Sequence, residues 1–578
     1  MLSLLALIAC KDDDTPAPDA APEEIVASVP LASAERAIRV SMAVRGIRPT
    51  GAEIDAVEAD SAALEELVEG WLDSPEFLET VKDMHAEQLL VRTDGNPDME
   101  LPAEGPLADR AVGDIAASIQ DEPLRFVEYV VANDLPYSEV VTGDYTLADE
   151  IVATVYGLPY DPAGPEWQVT TWVDGRPNAG ILSSSQLWRR HLSAGNSFNR
   201  GRANLVSDLL LCEDIAGRDV SIASTANLAD PLAVAAAVSS DPACVSCHQS
   251  LDPLAALWWG WVGRLNSNVV SGAYAADCRT SDDVVNLGKA EALPYELTCY
   301  PTHLYQPADE GGWIEQELRP PGYFGKPIST LPELGAEIAA DARFSNCAAR
   351  RFASWIGQIE RDTVPAHLVA EWGSRFSASN FDTKALVRDI VLSDEFLSRP
   401  GGDVEGSFPA LLVRAEAYAR AIHALTGFEW WVSPVEGCAS CADVDLLRSD
   451  LFGFRAMAGG IDGYLVTHPT FLPTATKSLT NSRVAELAAS WVVERDLPLP
   501  DAERGLLAGI DLAAEDEPAI RAGLDVLHEA VLESAPEPID TDEAWAIFSA
   551  ARDSGESTSD CWKLALALLL QDPRLVVY

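Results

Sequence analysis

Basic residues are scarce in this chain: 40 lysines and arginines stand against 91 aspartates and glutamates in 578 residues, a formal net charge of -51 at pH 7. Neutralising phosphate requires Lys and Arg, so the deficit argues strongly against nucleic-acid binding. It argues equally against electrostatic adhesion to anionic lipid. Such a charge favours solubility and suits a basic partner without naming one. Long apolar runs are lacking as well. No stretch approaches the roughly 18 uninterrupted apolar residues that a membrane span needs, and Leu564 to Leu570 is short enough to read as a buried helix. Also missing are a Gly-x-Ser-x-Gly elbow, a His-Glu-x-x-His pair and a glycine-rich phosphate loop, which removes the case for the corresponding hydrolases and nucleotide enzymes. Acidic pairs are so abundant that no glycosidase-like pair stands out.

The N-terminus has an apolar run but no basic residue before it. Met1-Leu-Ser-Leu-Leu-Ala-Leu-Ile-Ala-Cys10 ends like a bacterial lipoprotein signal, with Leu7-Ile8-Ala9-Cys10 as the lipobox and Cys10 as the lipidated residue. A signal ordinarily carries a positive n-region, and a start codon assigned too far downstream would account for its absence. Residues 10–30 are polar and proline-rich, too poor in apolar side chains to order themselves, as a tether between lipid and folded body would be. These features predict a bacterial cell-envelope protein, anchored by lipid, with its body in the periplasm or on the cell surface.

What the chain does contain is Cys244-Val-Ser-Cys247-His248, the attachment signature of c-type haem. Two thiols add across the haem vinyl groups and the histidine that follows ligates the iron. With ten cysteines and eight histidines available, the string arises by accident roughly two times in a thousand. Two other chemistries use the same pair: a plain disulfide, or half of a four-cysteine zinc site completed by Cys438 and Cys441. The second pair lies nearly two hundred residues away and is followed by Ala442, so it is not a second haem site of the ordinary kind.

Apolar residues recurring at three and four over 34–45, 63–72, 347–356, 386–392 and 411–425 predict a mainly α, multidomain helical protein. The expected organisation is a lipoprotein-type signal (1–9), a disordered tether (10–30), an N-terminal helical domain (31–140), a haem-bearing domain (141–262), a loop-rich insertion (263–335), a helical domain (336–400) and a C-terminal helical module (401–578). A repeat is visible: Leu67-Val-Glu-Gly-Trp-Leu-Asp-Ser-Pro-Glu-Phe-Leu78 aligns without gaps on Leu386-Val-Arg-Asp-Ile-Val-Leu-Ser-Asp-Glu-Phe-Leu397, with a looser echo at Gln571-Asp-Pro-Arg-Leu575. Each copy follows a basic amphipathic helix, as repeated helical subdomains would. Cys278 and Cys299 fall in the loop-rich insertion and are candidates for a bridge; Cys212, Cys347 and Cys561 leave at least one thiol unpaired. Phe452 to Gly463 reads as a glycine turn carrying Asp462.

The haem string sits in Asp241-Pro-Ala-Cys-Val-Ser-Cys-His-Gln-Ser-Leu-Asp-Pro-Leu254. This segment resembles the haem segment of the large exported planctomycete-type cytochrome c-like proteins, in which the haem histidine is followed by Asp-Pro-Leu. Upstream, Gly143 to Asp149, Val155 to Pro159, Gly180 to Ser185, His191, Asn199-Arg-Gly201 and Leu209 to Cys212 follow in the family's order; downstream, Arg343 to Phe352 and Ile390 to Phe396 resemble its C-terminal helical domain. The resemblance covers roughly residues 31 to 400. It implies an envelope haem protein, an electron carrier or an oxidoreductase accessory. The chain departs after Leu254, where Ala255-Ala-Leu-Trp-Trp-Gly-Trp261 replaces the family's Gly-Phe and acidic-aromatic run.

The expected site therefore holds one covalent haem c on Cys244 and Cys247, with His248 as proximal ligand and Pro253 and Leu254 walling that side. A main-chain carbonyl there is expected to accept from the other imidazole nitrogen. Trp258, Trp259 and Trp261 either pack near the macrocycle or form an aromatic core stripe. The sixth ligand decides between electron transfer and ligand binding. The resemblance nominates His191, because it occupies the family's histidine position before Arg-Gly, and Met84 and His85 are the other candidates. The leading expectation is one-electron transfer with an unidentified redox partner. The alternatives are an envelope binding or scaffold protein whose cysteines are structural, and a haem oxidoreductase with an open iron site.

Overall fold

The computed structural model describes residues 29–92, 101, 103, 105–191, 200–215, 217, 231–261, 300–301, 304–305, 307–315, 319–399, 410–432, 443–449 and 452–578. Helix accounts for 61% and strand for 5%, so the chain is mainly α, as its periodicity predicts. Among the described residues the strands form two-stranded pairs.

Helix α1 (Ser33–Val44), α2 (Gly51–Ala59), α3 (Ala63–Leu72), α4 (Pro75–Leu89) and α5 (Val112–Ala132) open the fold. Their ends follow the capping rules. Thr50 accepts from the Glu53 amide and Ser74 from the Phe77 amide, satisfying donors that the first helical turn leaves unpaired. Pro75 occupies the first turn of α4, where its missing N–H costs nothing.

Two apolar cores organise the described residues. The larger gathers side chains from Ala37 to Leu411, and the smaller those from Val413 to Leu575 together with Met42 of α1. Segments 31–140, 141–262 and 336–400 all contribute to the first core. Because Val40 and Val44 belong to one core and Met42 to the other, α1 lies at their junction. Arg420 crosses that junction: it pairs with Asp83 and donates to Thr80 Oγ1 at 3.0 Å and to the Arg45 carbonyl at 3.2 Å. Gly46, at φ +69°, allows this approach, since a Cβ there would stand 2.6 Å from Arg420 Nη2.

The repeat has a structural counterpart. Helices α1 to α3 form one three-helix unit, and Ala342–Gly357, Ala366–Ala378 and Thr383–Val391 form another. At the aligned serines the local geometry is the same. Ser74 Oγ donates to the Trp71 carbonyl (2.7 Å) and accepts from the Phe77 amide (3.2 Å), while Ser393 Oγ donates to the Ile390 carbonyl (2.7 Å) and accepts from the Phe396 amide (3.2 Å). Both phenylalanines are buried. The two copies also touch, and Glu69 pairs with Arg388, its own aligned counterpart. Strand β1 (Val29–Pro30), just before the first unit, pairs with Ser398–Arg399 just after the second. Leu412 pairs likewise with Val577 beyond the third echo, where Asp572 caps the Arg574 amide.

A disulfide joins Cys212 to Cys347 across 135 residues of sequence. Cys212 follows a π-helical stretch, Leu205–Leu210, that packs on helix Ala342–Gly357. Bridging two distant segments of one core removes conformations chiefly from the unfolded chain. Among the described residues no helix is long and apolar enough to cross a membrane.

Candidate functional site

Cys244, Cys247 and His248 lie on one helix, Pro242–Ala255, whose start is fixed by Asp241 accepting from the Ala243 amide and by Pro242 in the first turn. At about 100° per residue the three side chains fall within an arc of about 100°. All three are half-buried, and neither cysteine is in a disulfide. The Cys247 thiol contacts the Ile215 carbonyl at 3.4 Å, three residues beyond the disulfide-bonded Cys212. The disulfide therefore anchors the loop against which this face of the helix rests. A plain Cys244–Cys247 disulfide is not what this helix holds. The zinc alternative requires Cys438 and Cys441, which lie outside the described residues with Cys10, Cys278 and Cys299; among those described, no three His, Cys, Asp or Glu side chains gather into a metal cluster.

The structure corrects the expected partner of His248. Its Nδ1 meets the carboxylate of Asp252, 3.0 Å from Oδ1 and 3.2 Å from Oδ2, not a main-chain carbonyl at Pro253 or Leu254. The reason is helical geometry: residues four apart share a face, whereas Pro253 is rotated about 140° from His248. Pro253 faces the opposite way, its Cβ close to Gly322 of a short β-hairpin. Asp252 is itself buried and held by Arg319, whose Nη1 donates to Oδ2 at 3.0 Å and whose Nη2 donates to the Val238 carbonyl at 3.0 Å. Neither Asp252 nor Arg319 was nominated from the sequence. The signal for Asp252 was there, in the His-x-x-x-Asp spacing on a helix; Arg319 is 67 residues from Asp252 and gave none.

With a carboxylate on Nδ1, the neutral imidazole carries its proton there and keeps the Nε2 lone pair available. No hydrogen bond engages Nε2 among the described residues. Two thiols and an oriented imidazole on one helical face fit the demands of covalent haem.

The other nominated residues are placed elsewhere. His191, at the end of helix Ser185–Arg190, has Nε2 2.9 Å from the Leu89 carbonyl. The described contacts do not bring it to His248. Met84 and His85 are buried in α4. His85 Nδ1 donates to the Val81 carbonyl at 2.7 Å and Nε2 accepts from the Tyr137 hydroxyl at 2.8 Å, so both ring nitrogens are satisfied, and burial lowers its pKa to about 4. Trp258, Trp259 and Trp261 are core residues. Trp258 Nε1 donates to the Leu182 carbonyl at 3.1 Å, and Trp261 stacks on Trp188 with centroids 6.2 Å apart. Arg176, paired with Asp174 at 2.6 Å, lies over the rings of both Trp172 and Trp261. The Asp462 turn is structural: its Oδ1 accepts from the amides of Tyr464, Leu465 and Val466 at 2.7 to 2.8 Å.

Fold and site together define a mainly helical chain with a Cys-x-x-Cys-His helix whose histidine is backed by a carboxylate. No protein-family model, no curated protein and no solved structure matches it.

Proposed function

We propose that this chain is a c-type cytochrome-like lipoprotein of the bacterial cell envelope, akin to the planctomycete-type proteins it resembles, and that it transfers single electrons through one covalent haem. The observation that carries the reading is the joint placement of Cys244, Cys247 and His248 on one helical face with His248 Nδ1 held by Asp252. Bound there, haem would supply a one-electron couple at the iron. The chain's own residues have simpler tasks. Cys244 and Cys247 would fix the ring covalently, His248 would offer Nε2 to the iron, and Asp252 would keep the other ring nitrogen protonated and the imidazole in one orientation. Support for an oxidising compartment comes from the Cys212–Cys347 disulfide. The excess of 91 acidic over 40 basic residues suits a basic redox partner.

One observation favours a second reading, a haem oxidoreductase with an open iron position. The two nominated histidines are committed elsewhere, His191 to Leu89 and His85 to Val81 and Tyr137, and Met84 is buried in α4. Electron paramagnetic resonance of the ferric holoprotein, beside a potentiometric titration, separates the two. A low-spin signal with a reversible one-electron titration supports electron transfer; a high-spin signal that changes on adding cyanide or azide supports the open site.

A further inference from the structure

The unusual feature of the candidate site is the charge behind the histidine. A neutral carbonyl would orient an imidazole as well as a carboxylate does. A buried carboxylate does more, because it makes the ligand more basic and places a negative charge beside the metal. Here that charge is graded by a third residue. Arg319 shares Asp252 with His248: its Nη1 donates to Oδ2 at 3.0 Å, while Oδ1 faces the histidine Nδ1 at 3.0 Å. The guanidinium is fixed from its other end by the Val238 carbonyl, at the close of the helix Pro231–Ser240 that packs on the site helix. Asp252 is 4% exposed, so its charge acts through a poorly screened medium.

We infer that Asp252 and Arg319 form a tuning pair for the ligand His248, in which the carboxylate strengthens electron donation through the imidazole and the guanidinium moderates it. Both are positioning residues, acting on the iron through His248. The inference rests on the haem reading above and deepens it by naming what sets the potential of that site. The two residues have opposite signs and therefore opposite effects. Asp252→Asn keeps an oxygen that can accept from Nδ1–H but removes the negative charge, which destabilises the oxidised iron and raises the midpoint potential. Arg319→Gln removes the moderating positive charge, leaves the carboxylate more strongly negative and lowers the potential. A purely structural role would loosen the histidine in both variants and move both in one direction.

The test is spectroelectrochemical titration of the full-length holoprotein, matured in a host that attaches haem c, as wild type, Asp252→Asn and Arg319→Gln. Covalent haem content is measured on each sample by haem stain. Arg319, half-buried and on the rim, keeps the test open even where Asp252→Asn folds poorly. The expected result is full covalent haem in wild type and Arg319→Gln, a potential above wild type for Asp252→Asn, and one below it for Arg319→Gln. Haem present with unmoved potentials, or with both shifted the same way, overturns the tuning pair and leaves the cytochrome reading standing. A wild type without covalent haem overturns both.

Discussion

Glu122 offers a test of the larger core that does not depend on haem. It lies in the middle of α5 beside Pro123, 2% exposed, and its two oxygens accept from the hydroxyls of Thr146 (2.6 Å) and Ser184 (2.5 Å). Arg176, whose charge favours the ionised form of Glu122, is already engaged by Asp174. Burial dominates, and the carboxyl is pushed up from an ordinary 4.5 to about 7. The unfolded chain releases this proton near pH 4.5, whereas the folded chain holds it to about 7. The stabilisation is therefore fully present below 4.5 and is lost as pH rises through 7. At about 1.36 kcal/mol per unit, the loss by pH 8 is about 3 kcal/mol. The side chain of the Glu122→Gln variant is neutral at every pH. One hydroxyl turns to accept from the new amide, as it does from the protonated carboxyl of the folded wild type. The stability of the Glu122→Gln variant relative to wild type should thus climb by about 3 kcal/mol between pH 4.5 and pH 8. Urea unfolding followed by circular dichroism across that range measures it. Parallel pH profiles for the two proteins would refute the argument.

Three further outcomes follow from the packing. Replacing Cys212 and Cys347 together by serine releases a ring closed over 135 residues, and chain entropy puts the loss near 5 kcal/mol; denaturant titration with and without reductant checks it, and reductant should not affect the variant. Phe77→Ala and Phe396→Ala, at equivalent buried positions of the repeat, should each cost about 3 to 5 kcal/mol, and thermal unfolding that spares one but not the other would argue against equivalence. Trp258→Phe leaves the Leu182 carbonyl without its indole donor, a loss of about 1 to 3 kcal/mol, while the absorption spectrum of the holoprotein should stay unchanged because this ring belongs to the core.

Much of the secondary structure was legible because apolar spacing alone determines it. The stretches 63–72 and 386–392 fall within Ala63–Leu72 and, to within one residue, Thr383–Val391. At 411–425 the apolar pattern extends beyond the helix, since Leu412 is spent on a bridge to Val577 before the helix Ala415–Thr426 begins. Strand pairs of this kind, Val29 with Arg399 and Leu412 with Val577, join residues far apart in the sequence and leave no periodic trace. The repeat was visible because Ser74 and Ser393 do the same capping work. The pairing of Cys212 with Cys347 was not, because connectivity depends on tertiary proximity. At the site, the Cys-x-x-Cys-His string named three side chains that share one helical face, but the identity of the histidine's partner needed that face to be known. Asp252 lies four residues on and shares that face; Pro253, one residue further, does not.

Covalent haem on the Cys244–His248 helix is tested most directly by a denaturing-gel haem stain with a pyridine haemochrome spectrum. The protein is expressed behind an export signal in a host that matures c-type cytochromes, beside the Cys244→Ala, Cys247→Ala variant. One haem per chain that survives denaturation is expected in the wild type, with the spectrum of two thioether bonds, and none in the variant. Wild-type protein that is folded and exported yet carries no covalent haem would contradict the proposed function.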